Sequence, residues 1–440
     1  MTGAARRPRA RLLPAAVLAL ACGGCGAGDH ETTTLRFWAM GREGEVVQEL
    51  VHGFEAEHPG IRVQVQQIPW TAAHEKLLTA FVGRATPDLA QLGNTWVSEF
   101  AALRALVPLD ERVAASGTIT AADHFAGIWD TNVIDGALYG IPWYVDTRVL
   151  FYRSDLLAEA GYPEPPVTWS GWRAAMAALS RGGADPRYGM LLPVNEWAQP
   201  VILGLQAGSP LLAEQATVGA FAQPEFRRAF TFYVDLFRDG LAPPVSNNEV
   251  ANLYQEFGRG TFAMYITGPW NIGEFRRRLP AELQDSWSTA PLPAPDEQAA
   301  AQPGVPGVSL AGGSSLVVFA ASPHREAAWQ LVEYLGLPAQ QQRFFQLTGN
   351  LPAHRAAWDD PALAADPYAA AFRRQLEHVV ATPKIPEWEQ IANQVWVRAE
   401  QAIRGASPVD RALADLDADV GRILAKRRWL LDRQQEERTP

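Results

Sequence analysis

The 440-residue sequence holds only two cysteines, Cys22 and Cys25, so no disulfide framework braces the body of the chain. Its 38 Lys and Arg are outnumbered by 48 Asp and Glu, which leaves no cationic face for nucleic acid to neutralise. Beyond the first 21 residues no apolar run approaches the length of about 20 residues that spans a bilayer. There is no His-Glu-x-x-His pair for zinc, no Gly-x-Ser-x-Gly elbow for a nucleophile and no phosphate-binding loop. No internal repeat is visible. These absences set aside disulfide-stapled, nucleic-acid-binding, membrane-spanning, zinc-protease and serine-hydrolase readings. A carboxylate pair assembled by folding, as in a secreted glycoside hydrolase, is the enzyme class they leave open.

What is present starts at the N-terminus. Arg6, Arg7, Arg9 and Arg11 precede the apolar stretch 12–21, which has the charge, length and small-residue ending of a secretory signal. It is too short to persist as an anchor, and the Arg6-Arg7 pair alone is a weak sign of twin-arginine export. Without residues 1–21 the chain keeps 34 basic residues against 48 acidic ones, a formal charge of −14. A bridge from Cys22 to Cys25 would close a very short loop and stabilise little. Residues 22–34 read as a tether. The remaining chain is long and apolar enough for two domains or two large lobes.

Short strands and helices then alternate. Residues 35–38 form an apolar strand, and Val46, Val47, Leu50, Val51 and Phe54 recur at helical spacing until Pro59-Gly60 stops them. Ile61, Val63 and Val65 alternate with polar residues in a second strand. A helix follows at Trp70-Thr71, with Thr71 as its N-cap. Residues 87–92 supply a third strand. This succession predicts an α/β fold with mostly parallel sheets, flanking helices and ligand loops at the strands' carboxyl ends. Trp169, Trp172, Trp329 and Trp396 lie in helical patterns and are expected in the core, and the tail after Lys426 is expected to fray. Residues 260–270 read as a buried strand stopped at Gly268-Pro269, because proline cannot donate to a central ladder. Trp270 is thereby delivered just past a strand end. An indole there either stacks on the apolar face of a ligand or packs in the core, and position alone leaves both open.

Several motifs in order carry a resemblance. Pro87-Asp88-Leu89 through Trp96, Tyr139-Gly140-Ile141-Pro142 with Asp146 and Tyr152, the block from Phe257-Gly258-Arg259-Gly260 to Gly268-Pro269-Trp270, and Gly312-Gly313 before an apolar strand resemble the extracellular solute-binding proteins of ABC sugar importers, the maltose-binding-protein-like family. The likeness spans nearly all of residues 35–425. It implies a two-lobe periplasmic-binding-protein fold with a cleft between lobes, 35–143 plus 290–357 forming the first and 144–289 plus 358–430 the second, followed by a charged tail at 431–440. It also implies a monomer without cofactor or metal that captures a sugar outside the cytoplasmic membrane and delivers it to permease subunits. Ala19-Leu20-Ala21-Cys22 resembles a lipobox, with Ala19 where leucine is usual, and implies lipidation of Cys22.

A sugar has hydroxyls around its rim and C–H faces above and below, so its site needs aromatic walls and planar hydrogen-bonding groups. By the resemblance, Trp270 would stack on the sugar, and Asp146 and Tyr144 would bond its hydroxyls. Glu196 with Trp197 would line the second lobe, and Asn94 with Trp96 the first. Glu43, Trp38 and Trp388 match further contacts, while Gly312, Gly313 and Ser314 would let backbone approach the ligand. Asp146 could equally be a hinge ion-pair partner, Glu196 a solvated loop acid and Glu43 a helix-dipole acid. Relatives resembling trehalose and maltose binders often carry Trp where this chain has Ser314 and an acid at or next to Gly93, which argues against those exact substrates. A binding protein serving a sensor would have the same cleft.

Overall fold

The computed structural model describes residues 32–183, 186–250 and 252–438. The signal segment, Cys22 and the tether through residue 31 lie outside them. β1 (Thr33–Met40), β2 (Ile61–Ile68) and β3 (Leu89–Gly93) are joined by the helices Gly41–Glu57 and Trp70–Val82. β1 pairs in parallel with both neighbours, Phe37 lying opposite Val65 on one side and Leu89 on the other. Because helices cover both faces of this sheet, Leu35, Phe37, Ala39 and Met40 are all buried. The strand takes up Thr33 and Thr34, so the tether ends earlier than residue 34.

The remaining strands used here are β4 (Ile141–Asp146), β5 (Val149–Arg153), β6 (Tyr188–Leu191), β7 (Phe262–Thr267), β8 (Trp287–Ala290), β9 (Ser309–Leu310), β10 (Gly312–Val318), β11 (Leu351–Pro352) and β12 (Val379–Val380). One sheet has six strands in the order β11-β4-β10-β3-β1-β2, and the other has four in the order β8-β5-β7-β6. The expectation of mostly parallel sheets is corrected: β10 runs antiparallel to β3 and β4, β11 to β4, and β5 to β7 and β8. The reason lies in the connections. β5 and β10 each follow a crossing from the other sheet, so they start at the edge where their neighbours end and run antiparallel to them. That edge therefore gathers the carboxyl ends of β1, β2, β3 and β4 with the start of β10, and the facing edge gathers the ends of β6, β7 and β8 with the start of β5. The cleft lies between these edges, as the strand-end rule for open sheets requires.

The chain leaves the first sheet at Asp146 and enters the second at Val149. Tyr144, Val145 and Asp146 pair with Ser314, Gly313 and Gly312, so the crossing falls at Thr147-Arg148, beyond the division expected between 143 and 144. The crossings are tied together. Ser309 Oγ, fully buried, accepts from the Arg148 N–H at 3.1 Å and donates to the Arg148 carbonyl at 2.8 Å. Ser309 and Leu310 in turn pair in parallel with Val379 and Val380.

Other local expectations change as well. The helix Trp70–Val82 is preceded by Pro69 at its N-cap, with no side-chain cap bond, so Thr71 lies inside the helix. Within the described residues the tail is helical, Ala425–Arg438, and Arg428 fastens it to the carbonyls of Thr217 (2.6 Å) and Gly421 (2.7 Å). Trp169, Trp172 and Trp329 are buried, as expected. Trp396 is only half-buried, its Nε1 donating to Asn393 on its own helix at 2.9 Å.

Candidate functional site

Between the two sheet edges lies a cavity of about 600 Å³. Its aromatic walls come from both lobes: Trp70 and Trp96 from the first, Trp197 and Trp270 from the second. Trp70 and Trp270 are built alike. Each is the first residue of a helix, follows a proline N-cap and stands just past a strand, β2 or β7. Both remain partly open to solvent, at 36% and 42% exposure. Trp96 leans on Trp70 with ring centroids 5.6 Å apart.

Glycines make room for these rings. A Cβ on Gly268 would fall 2.0 Å from Cζ3 of Trp270, 2.4 Å from Cη2 and 2.6 Å from Cε3, distances that place it over the ring plane rather than at its edge. Gly41, at φ +50°, would set a Cβ 2.8 Å from Cδ1 of Trp70. Gly313, at φ +129°, lets β10 approach to where a Cβ would stand 2.2 Å from the Tyr144 carbonyl.

The polar base is pre-arranged. Gln91, fully buried on β3, accepts from the Met40 N–H at 2.8 Å and donates to the Tyr144 hydroxyl (3.0 Å) and to Ser314 Oγ (3.2 Å). Ser314 also donates to Tyr144 at 2.9 Å. Asn350 Nδ2 holds Glu43 at 2.9 Å. Burial, with the charge of Glu43 beside it, pushes the Tyr144 phenol well above its ordinary value, so it stays neutral. Asn94 lines the cavity, but its amide is already engaged, donating to Thr131 (2.7 Å) and accepting from Ser315 (3.3 Å). A ligand there meets only its second lone pair or hydrogen.

Asp146 ends β4 at the base of the cleft and accepts from Arg148 at 2.8 Å. Burial raises its carboxyl above the usual range, the Arg148 guanidinium opposes that shift, and Glu196 adds to it. The hinge ion pair and the place in the cavity are therefore both real for this residue. If the ionised carboxylate holds ligand hydroxyls, affinity should fall in acid starting at a higher pH than a free aspartate would give. Asp146→Asn should bind more weakly at neutral pH and show a flatter profile in titration calorimetry from pH 7 to 4. A wild-type profile without an acid limb would contradict this.

Of the residues singled out from sequence, Glu43, Asn94, Trp96, Tyr144, Asp146, Trp197, Trp270, Gly312, Gly313 and Ser314 line this one cavity. Three do not. Trp38 is packed in the apolar cluster against the sheet, with Lys76 Nζ 4.9 Å from its ring. Trp388 is fully buried and sits edge-to-face behind Trp197, centroids 5.7 Å apart. Glu196 turns to Asn247 Nδ2 at 2.8 Å. The cavity also contains Arg42, Trp70, Arg148, Asn350 and Thr382, which the sequence reading left off its site. Trp70 had the same signal as Trp270, proline and indole at a strand end. A larger cavity of about 720 Å³ lies beside β8, walled mainly by prolines and alanines with Tyr152 as its one aromatic, and lacks facing indoles. Among the described residues no cluster of three or more His, Cys, Asp or Glu could hold a metal, and no helix is long and apolar enough to cross a membrane.

Residues 39–342 match the family of bacterial extracellular solute-binding proteins. The chain belongs to that family. Among solved solute-binding structures, the sugar-binding protein MalE of Xanthomonas citri is 49% identical and superposes with a TM-score of 0.86, covering 91% of this chain and 99% of its own. The diacetylchitobiose-binding protein of Streptomyces coelicolor is 26% identical over 89% of this chain and 92% of its own. An uncharacterized lipoprotein of Streptomyces antibioticus is 28% identical over 88% and 87%. These relatives are binding proteins or a lipoprotein by name, and the two-lobe solute-binding fold accounts for the paired sheet edges described above.

Proposed function

We propose that this solute-binding protein captures a mono- or oligosaccharide outside the cytoplasmic membrane and delivers it to an ABC permease by lobe closure. The observation that carries the reading is the meeting of indoles from both lobes over a base of fixed hydrogen-bonding groups. Trp70 and Trp270 supply apolar walls, and Tyr144, Asp146 and Glu43 supply rim partners. The lobes that close are taken as the bodies around the six- and four-stranded sheets, divided at Thr147-Arg148. Ligand contacts made to both at once favour the closed state over the open one.

The deciding experiment is a calorimetric and thermal-shift screen of protein lacking residues 1–25 against mono- and disaccharides, maltotriose and diacetylchitobiose. Binding with a change in Trp fluorescence and no turnover is expected. Sugar cleavage in an overnight incubation would overturn the reading in favour of a hydrolase, and no binding across the panel would count against a sugar ligand.

The chain is further proposed to be held at the membrane by a lipid on Cys22, after removal of residues 1–21. The arginines, the apolar stretch and the small residues before Cys22 support this, and so does the likeness to a lipoprotein. Cys22→Ser should shift the protein from the membrane fraction to the soluble one. Continued membrane retention of the variant would contradict the anchor.

A further inference from the structure

Arg148 sits where the chain crosses between lobes, and its side chain reaches into the cleft. Its guanidinium carbon lies 4.6 Å from the centroid of the Trp270 indole. Gly268 already covers one face of that ring, since its missing Cβ would stand 2.0 Å over Cζ3. The guanidinium therefore takes the other face, the one that looks into the cavity both residues line. It is held there from two sides. Asp146 binds its Nη1 at 2.8 Å, and Ser309 fixes its backbone N–H and carbonyl at 3.1 and 2.8 Å. A flat cation stacked on an indole face occupies the place that a sugar ring's C–H face would need.

We infer that Arg148 is an internal occupant of the aromatic wall, and that a ligand must displace it from Trp270 before it can stack. This rests on the sugar-cleft reading above. The exchange makes Arg148 a specificity-determining residue. A ligand's stack must first make good the contact it breaks, and only the excess appears as affinity. A ligand that also reaches the first-lobe indoles and the Tyr144–Asp146 base gains beyond it. The displaced guanidinium keeps its bond to Asp146, so the carboxylate does not lose its partner while the ligand is bound. The cost is the same for every ligand that stacks on Trp270, so it acts as a threshold that a ligand with few other contacts does not clear, although nothing in the cleft excludes it by size.

The inference predicts that removing the guanidinium strengthens binding, the opposite of what deleting a ligand contact does. Arg148→Gln should bind maltose, maltotriose or diacetylchitobiose about threefold to thirtyfold more tightly than wild type, the span of a cation–π contact. The measurement is made at pH 8, which favours the ionised form of Asp146 against the upward push of burial. The gain should be the same ratio for each sugar that stacks on Trp270, and it should vanish in a Trp270→Ala background. Equal or weaker binding by Arg148→Gln in the Trp270 background overturns the inference.

A second measurement needs no sugar. Hydroxyl-radical footprinting read by peptide mass spectrometry should show greater oxidation at Trp270 in ligand-free Arg148→Gln than in wild type, with Trp70 unchanged. Equal oxidation at Trp270 would show that the ring is not covered, whatever the sugars do. If no sugar binds either protein while Trp270 becomes more reactive in the variant, the sugar reading fails and the covered ring stands.

Discussion

Replacing Trp270 by alanine is expected to weaken oligosaccharide binding by about 2–3 kcal/mol, roughly 30- to 150-fold. The magnitude combines the apolar area an indole removes from water with the extra attraction of a stacked face. The fold should survive, because Trp270 is 42% exposed and belongs to none of the apolar clusters. Calorimetry alongside thermal unfolding separates the two: affinity falls while the melting temperature moves by no more than a degree or two, as is usual at about this exposure. Unchanged affinity would remove Trp270 from the site. Gly268→Ala is the sharper companion, since it leaves the indole in place chemically and denies it its seat. The new methyl group would meet ring atoms at 2.0–2.6 Å, and the half-exposed ring can yield by swinging aside. Binding should drop about tenfold or more, as expected when a contact group is displaced by an ångström.

The second large effect concerns acid stability. His124 is 2% exposed, its ring facing His354 at 5.6 Å and Trp129 at 5.1 Å, and its Nε2 has no hydrogen-bond partner. Nδ1 is 2.9 Å from the Thr120 carbonyl and so carries the proton of the neutral ring. Burial lowers the imidazole from 6.5 to about 4, with His354 and Arg355 pushing the same way against Thr120 and Asp123. His354 is itself lowered by burial, and Arg355 is bonded to Glu377 at 2.7 and 2.9 Å. The unfolded chain therefore takes up a proton near pH 6.5 that the folded chain refuses until about pH 4. Stability is full above that window and is lost as pH falls through it, by about 3 kcal/mol at its lower end. Urea unfolding at pH 7 and pH 4 should show that loss, and His124→Phe should reduce the difference between the two pH values by about 3 kcal/mol. An equal pH dependence in the variant would mean that other groups carry it.

How much of this was legible in the chain depended on whether the signal was local. The βαβ run from β1 to β3 was readable because its apolar periods switch cleanly between two and 3.6 residues. Trp270 could be placed because Gly268-Pro269 ends a strand by covalent necessity. Strand direction was not readable: β10 is antiparallel only because the chain reaches it from the other lobe, a fact that no window of residues contains. The misplaced tryptophans share one cause. Trp38 and Trp388 lie close in sequence to the cleft, but which way an indole points is decided by packing, and both turned toward apolar clusters. Trp70 stands at a strand end that the sequence marks as clearly as that of Trp270, but only folding shows that its indole faces the cleft. Arg148 carried no mark at all, since its role depends on Gly268 and Trp270, more than a hundred residues away.

The strand order also implies a lever. Arg148 and Asp146 sit on the axle, next to β4, whereas Trp70 follows β2 at the far end of the same sheet. Counting β10, β3 and β1 between them, at about 4.8 Å per strand, the radius to Trp70 is about 19 Å. A rotation of about 15°, of the size rigid bodies make in such switches, would sweep Trp70 through about 5 Å and leave Asp146 nearly still. On the proposed lobe closure, a ligand would meet the axle first and Trp70 last. Mutations near the axle should change how tightly the open form binds, and mutations of Trp70 how long the closed form lasts.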